Sequence, residues 1–211
     1  MRSRWGLVAA LAALLLFGFR RPLDRALTPH RAVPRPDASG EPRQDPADRE
    51  PFVFLAGGRR YRLTPRFAWD GSAVVVGEKT YRFDALAPLA AVDLALAWGP
   101  VLDPPYAGRI SYLQTGRFYL WNARGAGLDR ATIVAHTANT HVIAASSRLR
   151  RIAATVSAGD VVRLEGWLVD ADGIDDPAFR VRTSTARTDE GPGACEVVFV
   201  RRLTVNRSAY E

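Results

Sequence analysis

Half of the chain's fourteen prolines lie between residues 22 and 51, and they decide where a fold can begin. Proline fixes φ and removes a backbone donor, so neither a helix nor a central strand runs easily through such a stretch. Between the prolines lie Arg, Asp, Glu, Ala and Ser, with almost nothing apolar. A segment of this kind has too little surface to bury against its ordering entropy. It reads as a disordered Pro/Arg-rich linker over residues 22–51, extended and polyproline-like. It separates an N-terminal piece, residues 1–21, from one globular domain, residues 52–211, which is long enough for a single core.

The N-terminal piece is hydrophobic. Trp5 to Phe19 is fifteen residues without a charge, with Arg2 and Arg4 before it and Arg20 and Arg21 after it. At about 1.5 Å per residue a helix of this length covers only part of a hydrocarbon core of about 30 Å. The flanking arginines extend the span by reaching their charges outward. A secretory signal of the same length would end in small residues. This run ends Leu16-Phe17-Gly18-Phe19, then Arg20-Arg21. The expectation is a retained anchor and a single-pass protein of a bacterial inner membrane. Flanking charges nearly balance under the positive-inside rule. The short basic start favours a signal anchor, with the domain on the periplasmic, extracytoplasmic side.

The formal charge of +7 loses its meaning once divided. Residues 1–19 carry +2, residues 20–51 carry +1 and the domain carries +4 with both signs interspersed. That is no footprint for tracking phosphates, so no nucleic-acid partner is expected. The membrane through residues 5–19 and an envelope protein are the partners expected. No cofactor-binding motif and no metal-ligand spacing is found. Cys195 is the single cysteine, which excludes an intramolecular disulfide and a cysteine metal cluster.

From Phe52 the pattern becomes β-like. Phe52–Leu55 is a short apolar run, and Arg60–Thr64 alternates. Asp70-Gly71 predicts a hairpin turn between Arg66–Trp69 and Ala73–Val76. Gly77-Glu78-Lys79 predicts a second turn before a strand at Thr80–Phe83. Ala90–Trp98, rich in Ala and Leu and stopped by Gly99-Pro100, predicts a short helix. Thr115-Gly116 breaks Arg109–Gln114 from Arg117–Trp121 as another hairpin. Ser147–Thr155 predicts a basic helix capped by Ser146. After the Ala158-Gly159-Asp160 turn, Val162, Leu164 and Leu168 share one strand face and Arg163, Glu165 and Trp167 the other. Gly166 marks a bend there. Phe179–Thr183 and Cys195–Val205 complete the strands. The fold class is mainly β with short helices (α+β), a small antiparallel, partly closed barrel or sandwich preceded by one N-terminal hydrophobic helix.

The most suggestive chemistry lies in His136-Thr-Ala-Asn139-Thr-His141. Imidazoles five apart do not share a helical or strand face, so a structural role competes with acid/base work or ligand contact. Cys195 with His141 or His136 upstream, and Arg201 downstream, allows a thiol nucleophile, a base and an anion-stabilising guanidinium. A lone cysteine is more commonly a small buried hydrophobe. Arg187 and Asp189, after Thr183-Ser184-Thr185, offer polar contacts for a ligand or for the turning backbone. Arg117 and Gln114 flank the Thr115-Gly116 turn as further binding candidates. Tyr112, Phe118, Tyr119, Trp121 and Trp167 suit core packing better than a stacking platform.

The layout of His, short helix, Gly-Asp turn, strand, Cys and Arg loosely resembles sortase-type transpeptidases. The Thr-Cys pair expected there is replaced by Gly193-Ala194-Cys195-Glu196. A wider set of motifs resembles an uncharacterised bacterial membrane-anchored protein family. These are Val92-Asp93-Leu-Ala-Leu-Ala-Trp98-Gly99, Gln114-Thr-Gly-Arg117-Phe-Tyr-Leu-Trp121, His136-Thr-Ala-Asn139-Thr-His141-Val-Ile, Gly159-Asp160-Val-Val-Arg-Leu-Glu-Gly166 and Gly193-Ala-Cys195-Glu196. The resemblance covers Tyr61 to Leu203, with Ala144 where proline is expected and Ser184-Thr185-Ala186 where Ser-Ser-Leu is. It implies a membrane-associated protein and supplies no activity. The expected role is an envelope-facing binding or assembly module. The alternative is a Cys/His-dependent hydrolase or transferase.

Overall fold

The computed structural model describes residues 27–211, so the expected anchor lies outside the described residues. The described chain is mainly β. Its elements are β1 (Arg31–Ala32), β2 (Arg43–Pro46), β3 (Phe52–Ala56), β4 (Arg59–Thr80), β5 (Val92–Ala97), β6 (Ile110–Thr115), β7 (Phe118–Ala123), α1 (Arg130–Ala135) and β8 (Thr137–Ala144). They continue with α2 (Ser147–Ala153), β9 (Val161–Gly173), β10 (Arg180–Val181), β11 (Glu196–Val205) and β12 (Ser208–Tyr210).

Five strands form a ring in the order β4-β5-β8-β11-β9, and β9 returns to β4. Every pair is antiparallel except β8 with β11, which is parallel. The sheet is therefore mixed rather than wholly antiparallel. This connectivity is that of an OB-type Greek-key barrel. The connection between the parallel strands β8 and β11 runs through α2, β9 and β10, and α2 packs Leu149 and Ile152 into the ring's interior beside Leu94, Leu164 and Val198. A second apolar layer lies outside the ring, where Phe52 and Phe54 of β3 meet Phe199 edge-on.

Two expected turns are absent. Asp70-Gly71 and Gly77-Glu78-Lys79 both lie inside β4, a single strand of 22 residues. Asp70 pairs with Glu165 and Gly71 with Leu164. Pairing with β2 and β9 around Asp70-Gly71, and with β5 at Gly77–Lys79, outweighs the local turn preference, and the strand coils around the barrel instead of reversing. The glycine has another use: a Cβ at Gly71 would stand 2.7 Å from Pro42 Cβ, so its absence lets β2 lie close. Register shifts after Val75 and Pro65 let the strand bend.

The expected helix at Ala90–Trp98 is instead the strand β5. All six of its residues are buried, between β4 and β8. A strand covered on both faces reads as a continuous apolar run, and burial overrides the helix preference of Ala and Leu. The expected spacer also differs over its described part. β1 pairs with β12 and β2 with β4, and the Gly99 N–H donates to the Ala38 carbonyl at 2.8 Å. Pro46 ends β2, which pairs only with β4, so its missing donor costs little; the other described prolines of the segment lie outside strands.

Other expectations hold. The β6–β7 hairpin turns at Gly116-Arg117, both at positive φ. Val162, Leu164 and Leu168 of β9 enter the interior, and Trp167 the outer layer. Gly166 is pressed against the Phe199 carbonyl, so no side chain fits there. Ser146 caps α2, its hydroxyl accepting the Leu149 N–H at 3.1 Å. Ser146→Ala is expected to lower stability by about 1 kcal/mol in urea denaturation. An unchanged midpoint would show that packing alone holds α2.

Candidate active site

The outer face of β5, β8 and the start of β11 carries the polar residues. Along β8, Ala138 and Val142 enter the barrel core, so Thr137, Asn139 and His141 point outward. Asp93 on β5 is the direct cross-strand partner of His141. On the other side Glu196 pairs with Thr140, which puts Cys195, one residue earlier, beside Asn139. The β6–β7 hairpin lies over this face. Gln114 donates to Asn139 Oδ1 at 2.5 Å, and the Tyr119 and Thr137 hydroxyls meet at 2.8 Å.

Asp93 is fully buried. Its Oδ1 accepts from Arg117 Nη1 at 2.7 Å and lies 2.8 Å from His141 Nδ1, a close ion pair rather than an aligned hydrogen bond. Arg117 is the clamp of the site. Its guanidinium also donates to Asp84 and to the Ala90 carbonyl, and it stacks 3.7 Å from the Tyr81 ring centroid. Its backbone N–H bonds the Tyr81 hydroxyl, and its carbonyl accepts from Asn139 Nδ2 at 2.8 Å. Each guanidinium nitrogen thus has a partner within the protein.

Burial works against a charged His141. The neighbouring Asp93 and Cys195 outweigh it and push its pKa up to about 9. The imidazole is therefore protonated at neutral pH. Cys195 is half-buried. Asn139 Nδ2 stands 3.3 Å from its sulfur, and the thiol faces the Arg117 carbonyl at 3.7 Å.

Cys195 also lines a cleft of about 340 Å³. Phe118, Trp121, Val134 and Pro192 supply apolar walls, and Arg130, Arg187 and Asp189 supply charge. The neighbouring lining residue Glu196 is 4% exposed, and burial pushes its pKa up to about 8. Tyr119, also on the wall, is pushed up to about 12 by burial.

Five of the residues singled out in the sequence thus meet: Cys195, His141, Asn139, Arg117 and Gln114. Arg187 and Asp189 line the cleft at Cys195. His136 does not join them. Its Nδ1 is 2.8 Å from the Thr132 carbonyl, and its Nε2 is 3.7 Å from Glu41. Arg201 is on the opposite layer, over the Trp167 ring. Ser184 is absorbed locally, its hydroxyl donating to Asp189 at 2.7 Å. Asp93 and Glu196 escaped the sequence reading as site residues. Asp93 had a signal, being the only charge in the apolar run from Val92 to Trp98. Among the described residues, no group of three or more His, Cys, Asp or Glu is arranged to hold a metal ion. No protein-family model, curated protein or solved structure matches the chain.

Proposed function

We propose that the domain is a thiol-dependent hydrolase or acyl transferase, carried at the extracytoplasmic face of a bacterial membrane by residues 5–19. The observation behind this reading is the placing of Asp93 on β5, His141 on β8 and Cys195 just before β11, three neighbouring strands, with the thiol at the wall of a cleft. In this reading the Cys195 thiolate attacks an acyl carbonyl and forms a thioester. The leaving group departs with the proton held by His141. Water or a second nucleophile then gives its proton to His141 and takes the acyl group, restoring the thiolate. Asp93 keeps the imidazole oriented and charged, as the third member of a triad does. Asn139 Nδ2, 3.3 Å from the sulfur, is a side-chain donor placed to serve the oxyanion in this reading.

The test uses full-length protein and activated acyl esters. Cys195→Ser and His141→Gln are each expected to lower turnover by roughly a hundredfold or more. An acyl adduct on Cys195 is expected by mass spectrometry. A Cys195 that iodoacetamide alkylates no faster than free cysteine from pH 6 to 9, and at the same rate in His141→Gln, would sink the reading. A binding or assembly module is the second reading. It is favoured by the exposed apolar side chains Leu113, Phe118 and Leu120 on the hairpin. It expects Cys195→Ser to leave partner binding unchanged.

A further inference from the structure

We infer that the cleft beside Cys195 takes a substrate bearing a carboxylate, which Arg187 holds while the acyl group faces the thiol. This rests on the thiol reading above and adds the substrate class to it. Arg117, whose carbonyl faces the thiol, already commits four of its five N–H groups to Asp84, Asp93 and the Ala90 carbonyl. Arg130, on the cleft wall, is exposed, paired with Glu190 and laid over Trp121.

Arg187 differs from both. Its guanidinium lies between the Trp69 and Trp98 rings, with centroids at 5.1 and 5.6 Å. Nη2 donates to the Pro42 carbonyl, while Nη1 is buried with no partner. Its nearest ion-pair contact is Glu41, at 4.0 Å. Asp189 is occupied by Ser184. Glu196, the other buried group of the cleft, has an unpartnered Oε2. Burial favours its neutral form, which presents a hydroxyl rather than a second negative charge. A desolvated guanidinium with an open donor, flanked by aromatic faces and a neutral carboxyl, is suited to a carboxylate. Burial of an unpaired donor is costly, so the site gains most from a ligand that pairs it.

Cys195 is the single cysteine, so charged thiol reagents read the cleft directly. The probes are methanethiosulfonates bearing carboxyethyl, hydroxyethyl or trimethylammonioethyl groups. Each transfers its thioalkyl group to the Cys195 thiolate. One disulfide forms, one S–SO₂ bond breaks and methanesulfinate leaves with the electron pair. On full-length protein the carboxyethyl reagent is expected to react about tenfold faster than the hydroxyethyl one, after division by the same ratio for a free thiol. Arg187→Gln is expected to bring that ratio to about one; Arg187→Lys should keep part of it. Should Arg187→Gln fail to fold, protection of wild-type Cys195 by succinate decides the matter. A wild-type ratio of one, or preference for the cationic reagent, overturns the inference. The hydroxyethyl rate and its dependence on His141 report separately on the nucleophile, so each reading fails by its own result.

Discussion

Arg117→Met is expected to cost about 3 kcal/mol of stability, measured as a fall in the urea midpoint at unchanged slope. Arg117 joins three elements through one side chain. It reaches Asp84 after β4, Asp93 on β5 and the Ala90 carbonyl between them. Removing it leaves Asp93 fully buried with a single charged neighbour, His141. An uncompensated buried carboxylate is what makes such deletions costly, typically about 3–5 kcal/mol, and the surviving contact with His141 sets the expectation at the lower end. Arg117 sits at φ 73, a conformation that arginine and methionine pay for alike. Methionine keeps that backbone cost and most of the stem, so the difference reports the guanidinium. The double variant Arg117→Met/Asp93→Leu should recover much of the loss, because no buried charge is then orphaned. A single-variant loss below about 1 kcal/mol would mean the clamp contributes no more than a surface ion pair.

Stability is expected to fall as pH rises from about 4.5 to 9, against the trend of proteins limited by acid. Two buried groups set the window. Glu196 moves from 4.5 to about 8 and His141 from 6.5 to about 9. In both, the folded state holds protons more tightly than the unfolded chain. Each contribution is therefore complete below the unfolded pKa and is lost as pH rises through the folded one. At about 1.4 kcal/mol per unit, His141 contributes roughly 3 kcal/mol, lost between pH 6.5 and 9. Glu196 adds a loss of similar order between pH 4.5 and 8. Opposing carboxylates act lower down: Asp70, held below 3.8 by its hydrogen bonds from Arg163, loses its contribution only as pH falls through that region. Thermal melts from pH 5 to 9 should descend, and Glu196→Gln should flatten the first part of the descent and melt higher than wild type at pH 9. A flat profile in the wild type would show that neither group is held as the structure has it.

Local signals found the parts of the fold that are local. The β6–β7 hairpin was legible because Thr115-Gly116 sits between two β-prone runs, and α2 because Ser146 caps a compact basic helix. β9 was legible from its alternation, and Gly166 from its place within it. Reading failed where pairing on two edges decided the outcome. Asp70-Gly71 has the chemistry of a turn and lies mid-strand because β9 holds it on one side and β2 on the other. Val92–Ala97 has the composition of a helix and is a strand because both its faces are buried. That error hid Asp93, since a helix at Ala90–Trp98 would have pointed the carboxylate away from β8.

The half of the chain's prolines gathered between residues 22 and 51 pointed to a core that begins near Phe52, whereas Ala38 is buried and Leu27 and Ala47 pack against the core clusters. They did not determine that residues 31–32 and 43–46 would lie along sheet edges, because edge pairing depends on a surface made elsewhere. The residue types at the site were likewise visible: one cysteine, the His136 to His141 stretch, Arg117 with Gln114, and Arg187. Which of them meet was decided only by the ring of strands. The antiparallel register of β5 on β8 places Asp93 against His141, and the parallel register of β8 on β11 brings Cys195 beside Asn139. The physical reason is distance along the chain. Asp93, His141 and Cys195 are separated by about fifty residues at each step, and no local preference carries information over that range.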